Sequence, residues 1–454
     1  MHPVIGLDFG TTNSAIAVAA TDSPAELARF GESSSFRSIL YFPPKERSSA
    51  TTAKALLDSR ATATGDIVSS TGSSPTLKVG SAAKPETKAG PEAISSYLDA
   101  DTKGRLILSI KSYLASRLFT STQINGRYYT LEDLIAIILR RLRTAAIEQF
   151  AVAAERVVIG RPVRFAGAET EADETLALNR LRSAAELAGF SEVTFEFEPV
   201  AAAYQYETQL DHDELVLIGD FGGGTSDFTL AYLGPGRKRD GRNPVLGTSG
   251  VPIAGDTFDS RIMMNLVAPK LGLGSHYVSL GKQLQVPVWL YSQLSSWHRT
   301  FLLKEPKTMA VLREVRNQAE EPEKVSALIQ IISENLGYAL YRAVEETKVE
   351  LTEKEDAHFT FAHGALHIAD TLERWRFESW IQDDMQSIAS SVKSLFAEHN
   401  VEYADVGSVF LTGGSSFVPY VRRYFAKTFG AEKMRAGEEL TTVAKGLALR
   451  ALEN

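Results

Sequence analysis

Two aspartates carry the first chemical signal. Asp8 ends a short apolar run, and Asp220 ends the run Leu215–Gly219; each is followed by a glycine turn and a second alternating run. The first stretch reads VIGLDFGTTNSAIAV (Val4–Val18) and the second LVLIGDFGGGTSDFTL (Leu215–Leu230). Aligned on Asp-Phe-Gly, Asp8 matches Asp220 and Thr12 falls near Thr225. Glycine has no Cβ, so backbone amides in such turns can converge on an anion. The amides of Gly10, Thr11 and Thr12 would hold one side of a phosphate chain. Those of Gly222, Gly223, Gly224 and Thr225 would hold the other. Carboxylates repel phosphate, so Asp8 and Asp220 make sense with Mg²⁺ between, bound through waters, because this cation keeps much of its hydration shell. Either carboxylate is also suited to orient or deprotonate an attacking water. A single glycine hairpin is weak evidence. Two matching copies far apart in the chain point to two similar halves facing one ligand.

Phosphoryl transfer also calls for a mobile cation, and Lys111, after the strand-like run Leu106–Ile110, is the candidate. Gly413-Gly414-Ser415 follows the strand-like Val409–Leu411 and precedes a helix. A third close-approach turn there suits the sugar and α-phosphate end of a nucleotide. His363 and His367 stand four apart with His358 nearby, the spacing of zinc ligands on a helix. The surrounding FTFAHGALHIA alternates as a strand does, which favours packed or solvated histidines.

The elements that must position these residues follow from periodicity. Helix–strand alternation between Thr130 and Ala202 predicts parallel strands covered by helices. A helix is expected from Thr130, whose hydroxyl caps it, with Leu131, Leu134, Ile135, Ile138, Leu139 and Leu142 on one face. Arg156–Arg161 and Val193–Phe197 read as strands, and Glu171–Ala188 as a helix stopped by Gly189. Asn125-Gly126 marks a two-residue hairpin. Phe36–Pro44 reads as one strand, and Leu77–Lys84 as a short strand and turn within a Ser/Ala/Thr/Gly-rich stretch from Lys45 to about Lys103. Further on, Ala254–Arg261 opens a helix, about 273–322 forms a less regular insertion, and helices are expected over 324–352, 371–398 and 442–452. The loop Gly234–Pro244, with Arg237, Lys238, Arg239 and Arg242, reads as solvated.

The chain has 454 residues, enough for two lobes that each bury a core. Its 56 acidic against 48 basic residues, net −8, argue against a nucleic-acid binder. The absence of cysteine excludes disulfides and thiolate chemistry. No apolar run is long enough for a membrane span, and MHPVIGLDFG is unlike a signal peptide, so a cytoplasmic location is expected.

IGLDFGTTNS, FEFEPVAAAY, IGDFGGGTSDF, AGDTFDSR and FLTGGSSFVP occur in this order. Together they resemble the actin-like ATPase superfamily, and most closely the nucleotide-binding domain of DnaK-type, heat-shock-protein-70 chaperones. The resemblance implies an α/β, actin-like ATPase fold: two RNase H-like lobes with inserted subdomains around a nucleotide cleft. Lobe I would span 1–212 (core 1–40 and 130–212, insertion 41–129). Lobe II would span 213–454 (core 213–256 and 371–454, insertion 257–370). By position, Asp8, Asp220 and Glu198 match acids around water-coordinated Mg²⁺, and Lys111 the catalytic lysine at the γ-phosphate. Thr12 and Thr225, with Asn13 in the same motif, match the phosphate-binding turns, and Asp227 is the second acid of the central hairpin. Gly255 belongs to a further shared motif. Glu345, Lys348 and Thr352 resemble the adenosine-binding helix, and Gly413, Gly414, Ser415 and Phe417 the turn facing it. Val349 and Phe417 stand where the family has two arginines that sandwich adenine, leaving an apolar, stacking slot.

The implied function is a Mg²⁺-dependent, slow ATPase that binds ATP and ADP, acts as a chaperone or chaperone-like regulator through lobe closure, and engages a protein partner or client. The sequence ends at Asn454 with no peptide-binding domain, so it resembles a short form of the family. The rival expectations are an actin-like filament protein, a small-molecule kinase using Asp256 or Asp227 to activate an acceptor, and a reactivating factor for one enzyme.

Overall fold

The computed structural model describes residues 3–21, 23–44, 86–100, 104–207, 210–236, 245–295, 300, 303–435 and 442–453. The expected strand and turn over 77–84 and the basic residues from Arg237 to Arg242 lie outside them.

Two sheets organise the chain. In the first, β1 (Val4–Phe9), β2 (Asn13–Ala20) and β3 (Ser23–Leu27) are antiparallel neighbours, and β4 (Arg156–Arg161) and β5 (Glu192–Phe197) extend the other edge in parallel. In the second, β6 (Glu214–Phe221), β7 (Ser226–Leu233) and β8 (Val245–Val251) are antiparallel, and β9 (Ser408–Thr412) and β10 (Met434–Arg435) are parallel to β6. The orders β3-β2-β1-β4-β5 and β8-β7-β6-β9-β10 therefore match strand for strand, with the same directions. The repeated hairpin in the sequence is the visible edge of this larger repetition. β3 and β8 gave no sequence signal of their own.

Helices α1 (Leu131–Phe150) and α2 (Glu171–Ala188) pack together and share a core with the first sheet. Both open with a reciprocal cap: Thr130 with Asp133, and Thr170 with Asp173, each threonine Oγ1 accepting from the aspartate N–H and each aspartate carboxylate accepting from the threonine N–H. Gly189 closes α2 in the left-handed region at φ 103°. Asn125 and Gly126, both at positive φ, turn the hairpin Thr122–Ile124 and Arg127–Tyr129. On the second sheet, Phe221 and Phe228 pack against Phe425 of the helix Pro419–Phe429.

Between the sheets run two more helices, α3 (Glu198–Glu207) and α8 (Thr442–Glu453), where α4 (Gly255–Ile262), α5 (Gly337–Glu353), α6 (Gln382–Glu398) and α7 (Pro419–Phe429) come between them in the chain. Helix α3 follows the first sheet yet packs on β6 and β7; α8 follows the second sheet yet packs on β1 and β2. The layer they share is built of small residues, Ala201, Ala202, Ala203, Ala444 and Ala448, all buried. A Cβ at Gly446 would overlap the carbonyl of Ala201, and one at Gly6 would overlap the backbone of α8 at Ala444 and Ala448.

Several expected elements are divided. Phe36–Pro44 is two strands: Phe36–Arg37 pairs with β2, while Leu40–Phe42 joins Lys88–Ala89 and Arg105–Ile107. Ser38 fixes the break, its N–H donating to the Thr12 carbonyl (2.9 Å) and its hydroxyl to the Gly10 carbonyl (2.8 Å). The helix expected over 324–352 is Pro322–Ser333 and Gly337–Glu353, parted where Asn335 takes φ 60°. That expected over 371–398 begins as the strand Leu366–Glu373 and continues as Arg374–Trp380 and Gln382–Glu398. The insertion holds the hairpin His276–Ser279 and Lys282–Gln285 and helices Val288–Leu294 and Pro306–Gln318. Among the described residues no helix is long and apolar enough to cross a membrane.

Overpacking a tight crossing of this kind costs about 1–3 kcal/mol. Gly446→Val is therefore expected to lower the thermal midpoint clearly or to prevent folding. A wild-type melting curve for this variant would contradict the crossing described.

Candidate functional site

The two glycine turns meet. A Cβ placed on Gly223 would lie 2.7 Å from Oγ1 of Thr12, 3.3 Å from Oδ1 of Asp256 and 3.5 Å from Cβ of Thr11. The tip of the β6–β7 hairpin thus rests against the tip of the β1–β2 hairpin, as the duplicated sequence implied. The central turn is held by its carbonyls. Gly222 accepts from the Gly255 N–H (3.3 Å) and the Ser415 hydroxyl (3.2 Å), and Gly223 from the Asp256 N–H (2.7 Å). In a planar trans peptide the N–H points opposite the C=O. The amides of Gly223 and Gly224 therefore point away from the start of α4. Across this turn the Gly222 N–H donates to the Thr225 carbonyl at 3.0 Å.

The third turn closes on the same point. Gly413 takes φ 82°, and a Cβ there would overlap the Phe221 carbonyl and approach Oδ1 of Asp220 to 2.9 Å. Only a glycine lets β9 turn so close to the end of β6. Ser415 and Ser416 are buried beyond it, whereas Phe417 is 43% exposed.

Lys111 and Glu198 form a buried ion pair, Nζ to Oε1 2.6 Å, at 9% and 6% exposure. Lys111 lies on the short turn Ile110–Tyr113, entered through Ser109 at φ 52°. Glu198 opens α3 directly after β5. Gly160 on β4 leaves room for it, since a Cβ there would come within 3.0 Å of the Glu198 Cγ. Lys111 was expected to be mobile; here it is clamped. Burial alone would lower its pKa, but Glu198, Asp8 and Asp227 outweigh that and raise it.

Around the pair the carboxyls are pushed upward. Asp8 is raised well above the ordinary value by burial and by the charges of Glu198 and Asp220. Asp220 rises to about 8 through burial, then Glu198 and Asp227. Asp227 rises to about 7 through burial and Glu198, although it accepts the Val163 N–H at 2.9 Å. Asp256 rises to about 6 through burial and Asp259. Lys111 stands against Glu198, Asp8, Asp220 and Asp227, so acids outnumber cations there, an imbalance that a cation would relieve. Among the described residues no three acids or histidines converge closely enough to ligate a metal directly. That donor set fits a hydrated cation.

The residues expected at the adenosine end are placed less simply. Glu345 is held in a two-point pair by Arg37 (3.3 and 3.1 Å), which also reaches Oδ1 of Asn13 at 3.5 Å. Lys348 is bound by Asp259 (2.8 Å) and nears the Gly255 carbonyl. Tyr341 donates to Asp259 (3.2 Å) and Asp256 (3.4 Å). Thr352 turns its hydroxyl back to the Val349 carbonyl, and Val349 is 56% exposed. Arg422 stacks on Phe417, with 5.0 Å from guanidinium carbon to ring centre. Arg37, Ser38, Val163, Tyr341 and Arg422 were not singled out from the sequence. Their partners lie far along the chain, or, for Arg422, across a turn whose direction only the fold decides. Asp259 stood in a quoted motif, but its lysine is 89 residues away. His363 and His367 lie on opposite strands of the hairpin Asp356–His363 and Leu366–Glu373, so they share no helix face.

A carboxyl raised in the folded state keeps a proton that the unfolded chain has released. For Asp220 and Asp227 this holds from about pH 4 up to their folded values near 8 and 7, and there stability falls as pH rises. Chelator-treated, nucleotide-free protein should therefore melt lower at pH 8 than at pH 5. Asp220→Asn should raise stability at pH 8 by something on the order of 1–3 kcal/mol, read as a higher midpoint. An unchanged or lower midpoint in the variant would reject this electrostatic account.

The sequence comparisons bear on the same elements. A family profile described as "Hsp70 protein" matches residues 92–270 and 318–452. The protein described as "Chaperone protein DnaK" of Thermosipho africanus (strain TCF52B) is 25% identical over 456 residues, covering 99% of this chain and 58% of that protein. The one of Thermosipho melanesiensis is 25% identical over 456 residues, covering 99% and 59%. That of Deinococcus proteolyticus is 25% identical over 469 residues, again 99% and 59%. The chain thus spans somewhat under three-fifths of the length of these relatives. With the profile matching well over half of its residues, including the second sheet, β4 and β5 of the first, and the helices between them, the chain belongs to the Hsp70 family.

Proposed function

We propose that this chain binds ATP between its two glycine turns and hydrolyses it slowly, as a chaperone-type ATPase. The observation that carries the reading is the contact of the Gly223 turn with Thr12, with Asp8 and Asp220 at matching strand ends. In this reading the two matching sheets are the cores of two RNase H-like lobes, 1–212 and 213–454, with insertions at 41–129 and 257–370.

Each residue then has a task. The amides of Gly10, Thr11 and Thr12 and of Gly223, Gly224 and Thr225 receive the phosphate chain, with Asn13 beside the first turn; the Gly222 amide, expected among them, is instead spent on the Thr225 carbonyl and holds the turn. Asp8, Asp220 and Glu198 would hold hydrated Mg²⁺, which supplies positive charge against the charge that develops on the transferred phosphoryl group. Glu198 presents Lys111 to the γ-phosphate and keeps it protonated. Asp8 or Asp220 orients the attacking water and takes its proton. A bound cation would favour the ionised form of these carboxyls, the form that accepts a proton. Gly255, Gly413, Gly414 and Ser415 shape the sugar and α-phosphate end, and Glu345, Lys348 and Thr352 the adenosine end. There Phe417, backed by Arg422, offers the base a stacking face in place of an arginine.

Lobe closure on nucleotide would be read by a protein partner or client. The Arg37–Glu345 pair links a residue of 1–212 to one of 213–454, and in this reading it would form or break as the lobes close.

Lys111→Ala and Asp220→Asn are expected to leave Mg·ATP binding largely intact while lowering turnover by roughly 100-fold or more. Calorimetry and phosphate release measure the two quantities separately. Absence of Mg·ATP binding in the wild type overturns the reading at its root; wild-type turnover in both variants overturns the residue roles.

A further inference from the structure

A second cavity, of about 650 Å³, lies away from the paired turns. One wall comes from the segment after Gly104, with Arg105, Ile107 and Leu118; the other comes from Leu294, Leu303 and Ile331. Beside it the two walls touch. The Tyr97 hydroxyl donates to the Asn335 carbonyl at 2.9 Å, and the Tyr97 ring meets Tyr338 edge-on at 6.1 Å. The cavity is thus a gap between the insertions of the two halves, and its size is that of a small-molecule site.

Its lining includes neutral polar side chains such as Ser121, Thr122 and Asn335, but its charged side chains are of one sign. Arg105 lines one wall and Lys304 the other. Both are held by neutral oxygens: Arg105 donates to the Gln123 carbonyl at 3.2 Å, and Lys304 to the side-chain oxygen of Asn335. Arg105 is half-buried and Lys304 exposed; partial desolvation lowers the pKa of both, and Arg105 also feels the Tyr113 phenol. Cations that face an apolar space with neutral partners are complementary to an anion.

We propose that this cavity binds a small amphipathic carboxylate, an apolar body of about ten carbons whose acid group is received by Arg105 and Lys304. The apolar body fills the space between Ile107 and Leu303, and the acid bridges one cation from each insertion. A bound molecule therefore touches both halves and favours the arrangement in which they are together. This inference stands independently of the nucleotide reading.

The probes are decanoate below its micelle concentration, decanol, and decyltrimethylammonium, titrated by calorimetry into the full chain without nucleotide. Decanoate should bind in a one-to-one complex and raise the melting midpoint. Decanol should bind at least about tenfold more weakly, as loss of a charge-assisted hydrogen bond implies, and the cation should not bind. Arg105→Gln and Lys304→Gln should each bring decanoate down towards decanol while leaving decanol unchanged. Ile107→Trp, which fills the cavity, should abolish both. Equal binding of acid and alcohol overturns the proposal. So does wild-type decanoate affinity in the charge variants, or decanoate binding that survives Ile107→Trp in a folded protein. Should Ile107→Trp not fold, the charge variants decide alone.

Discussion

Everything at the candidate site depends on how closely α3 and α8 cross. These helices form the only layer between the two sheets that the described residues supply, and each packs on the sheet it does not follow in sequence. Gly446 lies against the Ala201 carbonyl and Gly6 against α8. Close approach of backbones fixes the spacing of β1 and β6, and hence of Asp8 and Asp220 at their ends. A thicker layer would part the two glycine turns, and no rearrangement of side chains at the turns could restore the contact. Interiors pack densely enough that such a crossing has little room to adjust.

The second constraint is electrostatic. A buried ion pair usually contributes little net stability, because removing both charges from water costs about what their attraction returns. Lys111 and Glu198 persist amid Asp8, Asp220 and Asp227, all with raised pKa values. Such an assembly does not serve the stability of the fold itself. It stores repulsion that a cation and a phosphate chain together would relieve, the arrangement expected where binding rather than folding sets the charges.

At the other end the chain departs from the pattern that the sequence resemblance implies. Val349 and Phe417 remove two guanidinium groups, yet Arg422 returns one by stacking on Phe417 from the following helix. Glu345 and Lys348 are each tied to a partner, Arg37 and Asp259. Accepting a nucleoside there means competing with, or sharing, those pairs. In the proposed function, base recognition and closure would therefore involve the same side chains.

The hairpins, their aspartates and the helices with strong apolar faces were legible because their causes are local. Glycine turns, threonine caps and a 3.6-residue period act over a few residues, and Thr130, Gly189 and Asn125-Gly126 all took their expected places. Asn335 broke a predicted helix because left-handed asparagine costs little, and periodicity does not register one residue of that kind. The edge strands Ser23–Leu27 and Val245–Val251 stayed hidden because their pairing, more than their own residues, makes them strands. By itself the sequence determined that two similar glycine turns exist and which acids stand beside them. Only the tertiary structure decided that the turns touch, that Lys111 is clamped by Glu198, and that Arg37 reaches Glu345 308 residues away. Those outcomes depend on the packing of elements distant in sequence, and no local pattern encodes the distance between them.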